Sequence, residues 1–223
     1  MTQLSYKNNF VYLFFSLITL LFSATIMVEV PGRFGEDIFS LVVLAMLFVS
    51  IKSLNYDKTW EWTIYLMIAA FIFLTVLSKF FSGSLAIYLI LFTLLFFFIR
   101  SFMIAAKQVL FVGDIDENKI IGSLTLYILL GLIWTMIYLI ILAMDPAAFS
   151  GIDAGNWQQI FSRVAYYSFV TLTTLGYGDV LPANHVAEFF VYMEAIIGVF
   201  YMAIIVSSLI SLRLTALEKE REE

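Results

Sequence analysis

Long apolar runs separated by short polar segments dominate the pattern of the chain. A hydrocarbon core about 30 Å thick requires roughly 20 helical residues. Five charge-free runs reach or approach that length, at residues 10–28, 62–78, 80–99, 120–144 and 195–212. The last run extends back to 189 if Glu194 is tolerated inside it. A sixth run, 38–51, becomes long enough to cross a membrane if the Lys52 side chain snorkels and residues 53–56 are included. The pattern predicts an all-α integral membrane protein with six transmembrane helices.

The first run is also compatible in position with a signal peptide. Its apolar stretch is longer than an h-region of about 7–15 residues, and Lys7 alone is a weak n-region. We therefore interpret residues 10–28 as the first membrane helix.

The distribution of Lys and Arg predicts the orientation. With six spans and both termini cytoplasmic, nine basic residues fall on the inner side: Lys7, Lys52, Lys58, Arg100, Lys107, Lys119, Arg213, Lys219 and Arg221. Only Arg33, Lys79 and Arg163 fall outside. This excess favours a multi-pass protein of the cell membrane with both termini inside.

Composition supports the membrane assignment and excludes several kinds of chemistry. The chain is 62% hydrophobic and 13% charged, which is too apolar for a soluble or disordered protein of 223 residues. The net charge of −5 comes without a basic run, so we expect no nucleic-acid partner. The absence of Cys excludes thiolate metal sites, and a single His excludes a His-rich site within one subunit.

Residues 145–188 are neither a short loop nor a membrane span. Turn signals punctuate the first part, and Asn156 is a suitable N-cap for a short helix over 157–170. That helix leads directly into TLTTLGYGD, residues 171–179. The segment therefore predicts a helix followed by an extended loop between two spans.

The backbone of this loop predicts a pore. Gly176 and Gly178 flank Tyr177 and permit positive φ, and alternation of the sign of φ turns successive carbonyls to one side of an extended segment. A row of carbonyls with the Thr174 hydroxyl is an all-oxygen lining suited to a hard, dehydrated cation. Irregular backbone at membrane depth occurs only where it is buried or lines a watery path.

Residues 173–179, TTLGYGD, resemble the potassium-channel signature TTVGYGD, with Leu175 in the Val position. The pore module of that family consists of an outer helix, a pore helix, a selectivity filter and an inner helix, and it would cover residues 120–213. Pro182 and Gly198, the latter 20 residues after Gly178, also match the family pattern. We refer to residues 173–179 as the filter loop.

The resemblance implies roles for individual residues. Ion ligands would be the carbonyls of Thr174, Leu175, Gly176 and Tyr177 with the Thr174 hydroxyl, next to Gly178. Thr173 and Asp179 would support the filter. Each chain has one such loop, so four would form a homotetramer around K⁺, with no cofactor.

Two departures from the family pattern affect the support of the filter. Tyr166 and Tyr167 stand where many relatives have two Trp, and we expect the Tyr167 hydroxyl to hydrogen-bond Asp179. Val170 stands where some relatives have a carboxylate, so no carboxyl pair with Asp179 can form.

Two residues of the last span have competing interpretations. Gly198 is a gating hinge or a small residue for close helix packing. Glu194 hydrogen-bonds the pore helix, attracts cations to the outer mouth, or snorkels to the membrane interface.

The predicted organisation is a four-helix peripheral domain (1–119), a pore domain (120–213) and a short cytoplasmic tail (214–223). The peripheral domain has the position of a voltage sensor, but the fourth predicted span, 80–99, contains no charge, and Arg100 and Lys107 lie seven residues apart at its end and beyond. Sensing by a charge array is therefore not expected.

The expected function is a potassium-selective channel embedded in membrane lipid, and not an enzyme. A non-selective cation channel on the same scaffold is the main alternative, and Tyr177 within a complete Gly-Tyr-Gly disfavours it. An intramembrane serine protease would need a His base near its Ser, whereas His185 is predicted outside. A transporter with several pore loops in one chain is disfavoured because only one loop is present.

Overall fold

Seven α-helices and one short pair of strands make up the part of the chain that the computed structural model describes, namely residues 9–30, 33–54, 58–80, 84–111, 117–203 and 207. In chain order the elements are α1 (Asn9–Glu29), α2 (Arg33–Ser53), α3 (Lys58–Phe80), α4 (Ser84–Phe111), α5 (Glu117–Met144), β1 (Phe149–Ser150), α6 (Trp157–Leu172), β2 (Leu181–Pro182) and α7 (His185–Tyr201).

Helices α1 to α5 are long and apolar enough to cross a membrane. They account for the first five predicted spans, including α2, whose apolar run had to be extended past Lys52 to reach a full span. The predicted limits of the fourth span, 80–99, are wrong at both ends. Phe80 ends α3, and α4 starts at Ser84 and continues past Arg100 and Lys107. A charge ends an apolar run but not a helix, because Arg and Lys are good helix formers.

Helix α7 begins earlier than the predicted sixth span. It starts at His185 because the Asn184 side chain accepts a 2.8 Å hydrogen bond from the Ala187 amide and caps the first turn. Its described part has 17 residues and includes Glu188 and Glu194. Residues 204–206 and 208–223, including the predicted tail, lie outside the described residues, so a sixth full span stays a prediction.

Helix α1 shows why the helices pack as they do. Its buried side chains recur every three or four positions, at Phe10, Leu13, Leu17, Leu20, Ala24 and Met27. This face contacts α2 and α5, and α1 also reaches α6. Helix α5 is the most enclosed, with 72% of its span buried against 22% for α3. The peripheral helices, α1 to α4, therefore share one apolar core with the α5–α7 region.

Several polar contacts between helices lie at the two ends of the bundle. At one end the Asn118 amide donates to Asn9 at 2.7 Å, and Ser53 donates to the Asn9 carbonyl at 2.5 Å. At the other end, which also carries the filter loop, Lys79 pairs with Asp37 at 2.5 Å, and Tyr88 donates to the Ala143 carbonyl at 2.7 Å. We call the second end the filter end. Polar groups at the ends of helices lie where a membrane-spanning helix meets water or headgroups.

Candidate functional site

A reciprocal cap fixes the start of α6. The Gln159 amide donates to Asn156 Oδ1 at 3.0 Å, and the Asn156 amide donates to Gln159 Oε1 at 3.2 Å. These bonds satisfy two of the free N–H groups at the start of the helix. The predicted N-cap is confirmed, and α6 ends at Leu172, two residues beyond the predicted end.

The filter loop has a backbone in which positive φ occurs at every second residue. The φ angles are +60° at Thr174, +54° at Gly176 and +77° at Gly178, whereas Leu175 and Tyr177 between them do not have positive φ. Glycine reaches this region without strain, but Thr174 does so at a cost, as residues at functional sites often do. The alternation expected from the two glycines is present, and it starts at Thr174, two residues before the first of them.

The last turn of α6 holds the start of the filter loop. The Thr174 amide donates to the Thr171 carbonyl at 2.9 Å, and the Leu175 and Gly176 amides donate to the Val170 carbonyl at 2.9 and 3.3 Å. Three N–H groups of the loop therefore point back to the helix, where they satisfy carbonyls that the helix leaves free. Val170, which stands where some relatives have a carboxylate, supports the loop through its backbone carbonyl.

A cluster of charged and aromatic side chains supports the outer part of the filter loop. Arg163 forms a 3.1 Å ion pair with Asp179, and its guanidinium lies 5.2 Å from the ring centre of Tyr166. The Tyr166 side chain lies close to Asp179, and its ring stacks on Tyr177 at 6.5 Å and 7°. Residues 163 and 166 share one face of α6, and this spacing is the sequence signal that could have identified the cluster.

The predicted bond between Tyr167 and Asp179 is wrong. Tyr167 is only 6% exposed, and its ring lies 5.5 Å from those of Tyr138 and Phe149, away from Asp179. Successive residues of an α-helix point about 100° apart, so adjacent tyrosines cannot both face the filter loop. Tyr166 is therefore the tyrosine of α6 that faces the filter loop.

A two-residue ladder ties the segment before α6 to the segment after the filter loop. Phe149 pairs with Pro182 and Ser150 with Leu181, and the Ala183 amide donates to the Ala148 carbonyl at 2.8 Å. Gly151 follows with φ +81°, and a Cβ there would lie 2.1 Å from the Asp179 carbonyl oxygen. Only glycine permits the two backbone segments to come this close. The segment before α6 is thereby held against the end of the filter loop.

The region from α5 to α7 is similar to a known protein family. Residues 122–213 match a protein-family model described as an ion channel, and the match contains most of α5, all of α6, the filter loop and α7. The match supports an ion-channel function for this part of the chain, which we call the ion-channel domain after that family model. No curated protein and no solved structure matches the chain.

The ion-channel domain contains a buried carboxyl group at Glu194. Its exposure is 0%, it accepts a hydrogen bond from the Tyr138 hydroxyl, and its other oxygen lies 2.6 Å from Ser168 Oγ. The predicted bond to the pore helix, α6, is confirmed. The snorkelling interpretation is wrong because the side chain is fully buried in the helix bundle, and this burial also disfavours the outer-mouth interpretation. Sequence reasoning missed Tyr138 and Ser168 as its partners.

Gly198 in the ion-channel domain lies against the end of α6. A Cβ at this position would lie 2.3 Å from the Leu172 carbonyl oxygen, so the glycine permits close contact between α7 and α6. This contact favours the packing interpretation of Gly198.

The peripheral helices reach the cap of α6 in the ion-channel domain. The side-chain amides of Asn156 and Gln159 donate to Glu36 Oε1 at 2.7 and 3.1 Å. The Phe39 ring lies 5.0 Å from Phe161 and 5.9 Å from Trp157. Sequence reasoning missed this contact, which joins residues about 120 positions apart and has no local signal.

The filter loop lies on the surface of the single chain. Leu175 is 55% and Tyr177 is 66% exposed, and a Cβ at Gly176 or Gly178 would meet nothing within 4 Å. Among the described residues, no three His, Asp or Glu side chains come together as a metal site.

Proposed function

We propose that four copies of this chain form a channel that passes K⁺ passively and selectively, with no enzymatic activity. The observation that carries the proposal is the positive φ at Thr174, Gly176 and Gly178, because this alternation aligns carbonyls along one side of the loop. The resemblance of residues 173–179 to the potassium-channel signature and the ion-channel domain at 122–213 support it.

The proposed ion ligands are the carbonyls of Thr174, Leu175, Gly176 and Tyr177 with the Thr174 hydroxyl. One loop contributes oxygens from one side only, so four chains would be needed to replace the hydration shell of K⁺. The exposure of the filter loop in the single chain supports this assembly. Arg163 and Tyr166 would hold the loop from behind through Asp179 and Tyr177.

We propose that the channel lies in the cell membrane with both termini cytoplasmic, and that voltage does not gate it through a charge array. The excess of Lys and Arg on one side supports the orientation. Helix α4 carries only Arg100 and Lys107 as charges, and Arg100 lies 5.9 Å from the Trp60 ring. A voltage sensor needs several charges that cross the field, which α4 does not supply.

Flux measurements on reconstituted protein test this proposal. Purified protein in liposomes is expected to pass K⁺ in clear preference to Na⁺. Gly178→Ala is expected to abolish that preference, because a side chain at φ +77° costs about 1–2 kcal/mol. Gly155→Ala, in the exposed loop before α6, is the matched control and should leave it intact. Equal K⁺ and Na⁺ flux through the unaltered protein would refute potassium selectivity and favour the non-selective alternative.

A further inference from the structure

Glu194 connects three helices from inside the bundle. It lies on α7, its carboxyl accepts a hydrogen bond from Tyr138 on α5, and it lies 2.6 Å from Ser168 Oγ on α6. Its exposure is 0%, whereas Glu188 on the same helix has a side chain that is 54% exposed and pairs with His185. A carboxyl group within a membrane-spanning segment is energetically costly. Its presence there therefore indicates a role.

Counting protons indicates that the Glu194 carboxyl is neutral. The Ser168 hydroxyl has one proton but lies near two acceptors, the Gly131 carbonyl at 2.8 Å and Glu194 Oε1 at 2.6 Å. Both contacts become hydrogen bonds if Ser168 donates to Gly131 and a protonated Glu194 donates to Ser168. The titratable groups that face Glu194 in the described structure are Tyr127, Tyr138 and Tyr167, none of which supplies a positive charge. An uncompensated carboxylate would be strongly unfavourable there.

Helix α7 contacts the C-terminal part of α6 at two points. Glu194 meets Ser168, and one turn later Gly198 meets the Leu172 carbonyl. Residues four apart lie on one face of a helix, so both contacts are made by the same side of α7. The last turn of α6 in turn holds the Thr174, Leu175 and Gly176 amides. Movement of α6 away from α7 would therefore displace the start of the filter loop.

We infer that Glu194 is a positioning residue for the filter loop: its neutral carboxyl joins Tyr138 and Ser168 and holds α6 in the position that keeps the loop ion-selective. The side chain touches no permeating ion and acts through α6. This inference rests on the proposed potassium selectivity for its effect on permeation, whereas the protonation of Glu194 is measurable without any flux.

Infrared spectroscopy tests the neutral carboxyl directly. The difference spectrum between the unaltered protein and Glu194→Gln, at neutral pH, should contain the C=O band of one carboxylic acid. The Glu188→Gln difference spectrum should contain carboxylate bands instead, because that side chain is exposed. A carboxylate band lost in Glu194→Gln would overturn the inference, even if the channel proved unselective.

Permeation measurements test the positioning role. Glu194→Gln can donate to Ser168 and accept from Tyr138, so it should retain the K⁺/Na⁺ flux ratio, as should the control Glu188→Gln. Glu194→Leu, Tyr138→Phe and Ser168→Ala should each lower that ratio by about tenfold, the factor expected for one lost buried hydrogen bond. The phenylalanine and alanine variants decide the question if the leucine variant does not assemble.

Two outcomes would overturn the positioning role. One is an unchanged flux ratio in Tyr138→Phe and Ser168→Ala despite a lower melting temperature, which would make the contacts purely structural. The other is equal loss of selectivity in Glu194→Gln and Glu194→Leu, which would mean that a neutral donor cannot replace the carboxyl. Unselective flux through the unaltered protein would instead refute the proposed function. The infrared measurement would still report whether the Glu194 carboxyl is neutral.

Discussion

Replacement of Gly198 by Ala separates two roles for this residue, a contact with α6 and a hinge in α7. The alanine Cβ would lie 2.3 Å from the Leu172 carbonyl oxygen, whereas ordinary contact begins at 3.4 Å. The two helices would have to separate by about 1 Å to remove the overlap. The contacted atom is backbone, so no side-chain rotation can relieve it.

The sign of the stability change distinguishes the two roles. If Gly198 were only a hinge, alanine would stabilise the helix by about 1 kcal/mol through its higher helix propensity. Overlap with Leu172 costs about 1–3 kcal/mol, the range for overpacked cores. The net expectation is destabilisation, accompanied by movement of the α6 end that precedes Thr173 and Thr174.

Thermal unfolding in detergent and liposome flux are the assays. We expect Gly198→Ala to lower the melting temperature and the K⁺/Na⁺ flux ratio together. The control is Gly122→Ala on α5, where a Cβ would overlap a Val109 methyl group at 2.6 Å, so it should reduce stability without changing selectivity. A higher melting temperature with unchanged selectivity and altered open probability would refute the contact role and establish a hinge.

Two further predictions concern the peripheral helices. Glu36→Ala removes the acceptor of Asn156 and Gln159 and should lower the free energy of unfolding by about 1–2 kcal/mol in chemical denaturation. Asp37→Ala breaks only the exposed pair with Lys79 and should cost at most about 1 kcal/mol, so equal losses would contradict a special role for Glu36. Arg100→Glu should leave the slope of the conductance–voltage curve unchanged under voltage steps, whereas a steep curve that the mutation flattens would reveal a voltage sensor.

Sequence reasoning predicted the elements well where the signal is local. The Asn156 cap, the short helix after it and five long apolar helices depend on neighbouring residues and on the length of apolar runs. The predicted limits of α4 and α7 were wrong because charged residues were interpreted as ends of spans, namely Lys79 and Arg100 for α4 and Glu194 or Glu188 for α7. A charged residue lies within a helix without difficulty once its side chain reaches an interface or a partner.

The site was predictable in its backbone and less so in its side chains. Gly176 and Gly178 indicated positive φ, but Thr174 did not, because nothing in its residue type favours that region. The choice between Tyr166 and Tyr167 depended on the rotation of α6, which the resemblance alone did not fix. Glu194 indicated a polar partner, yet Tyr138 lies 56 residues away and only the packed structure brings them together.

The contacts of α1 have a consequence for how the protein is made. Its buried face packs on α5 as well as α2, and it also reaches α6, which ends at Leu172. At about 5–20 residues per second, a ribosome needs about 7 to 30 s between the end of α1 at Glu29 and the end of α6. During that interval part of α1 must be covered by lipid or by an insertion factor. Truncated chains that stop before α6 should therefore be captured by the insertion machinery for longer than full-length chains.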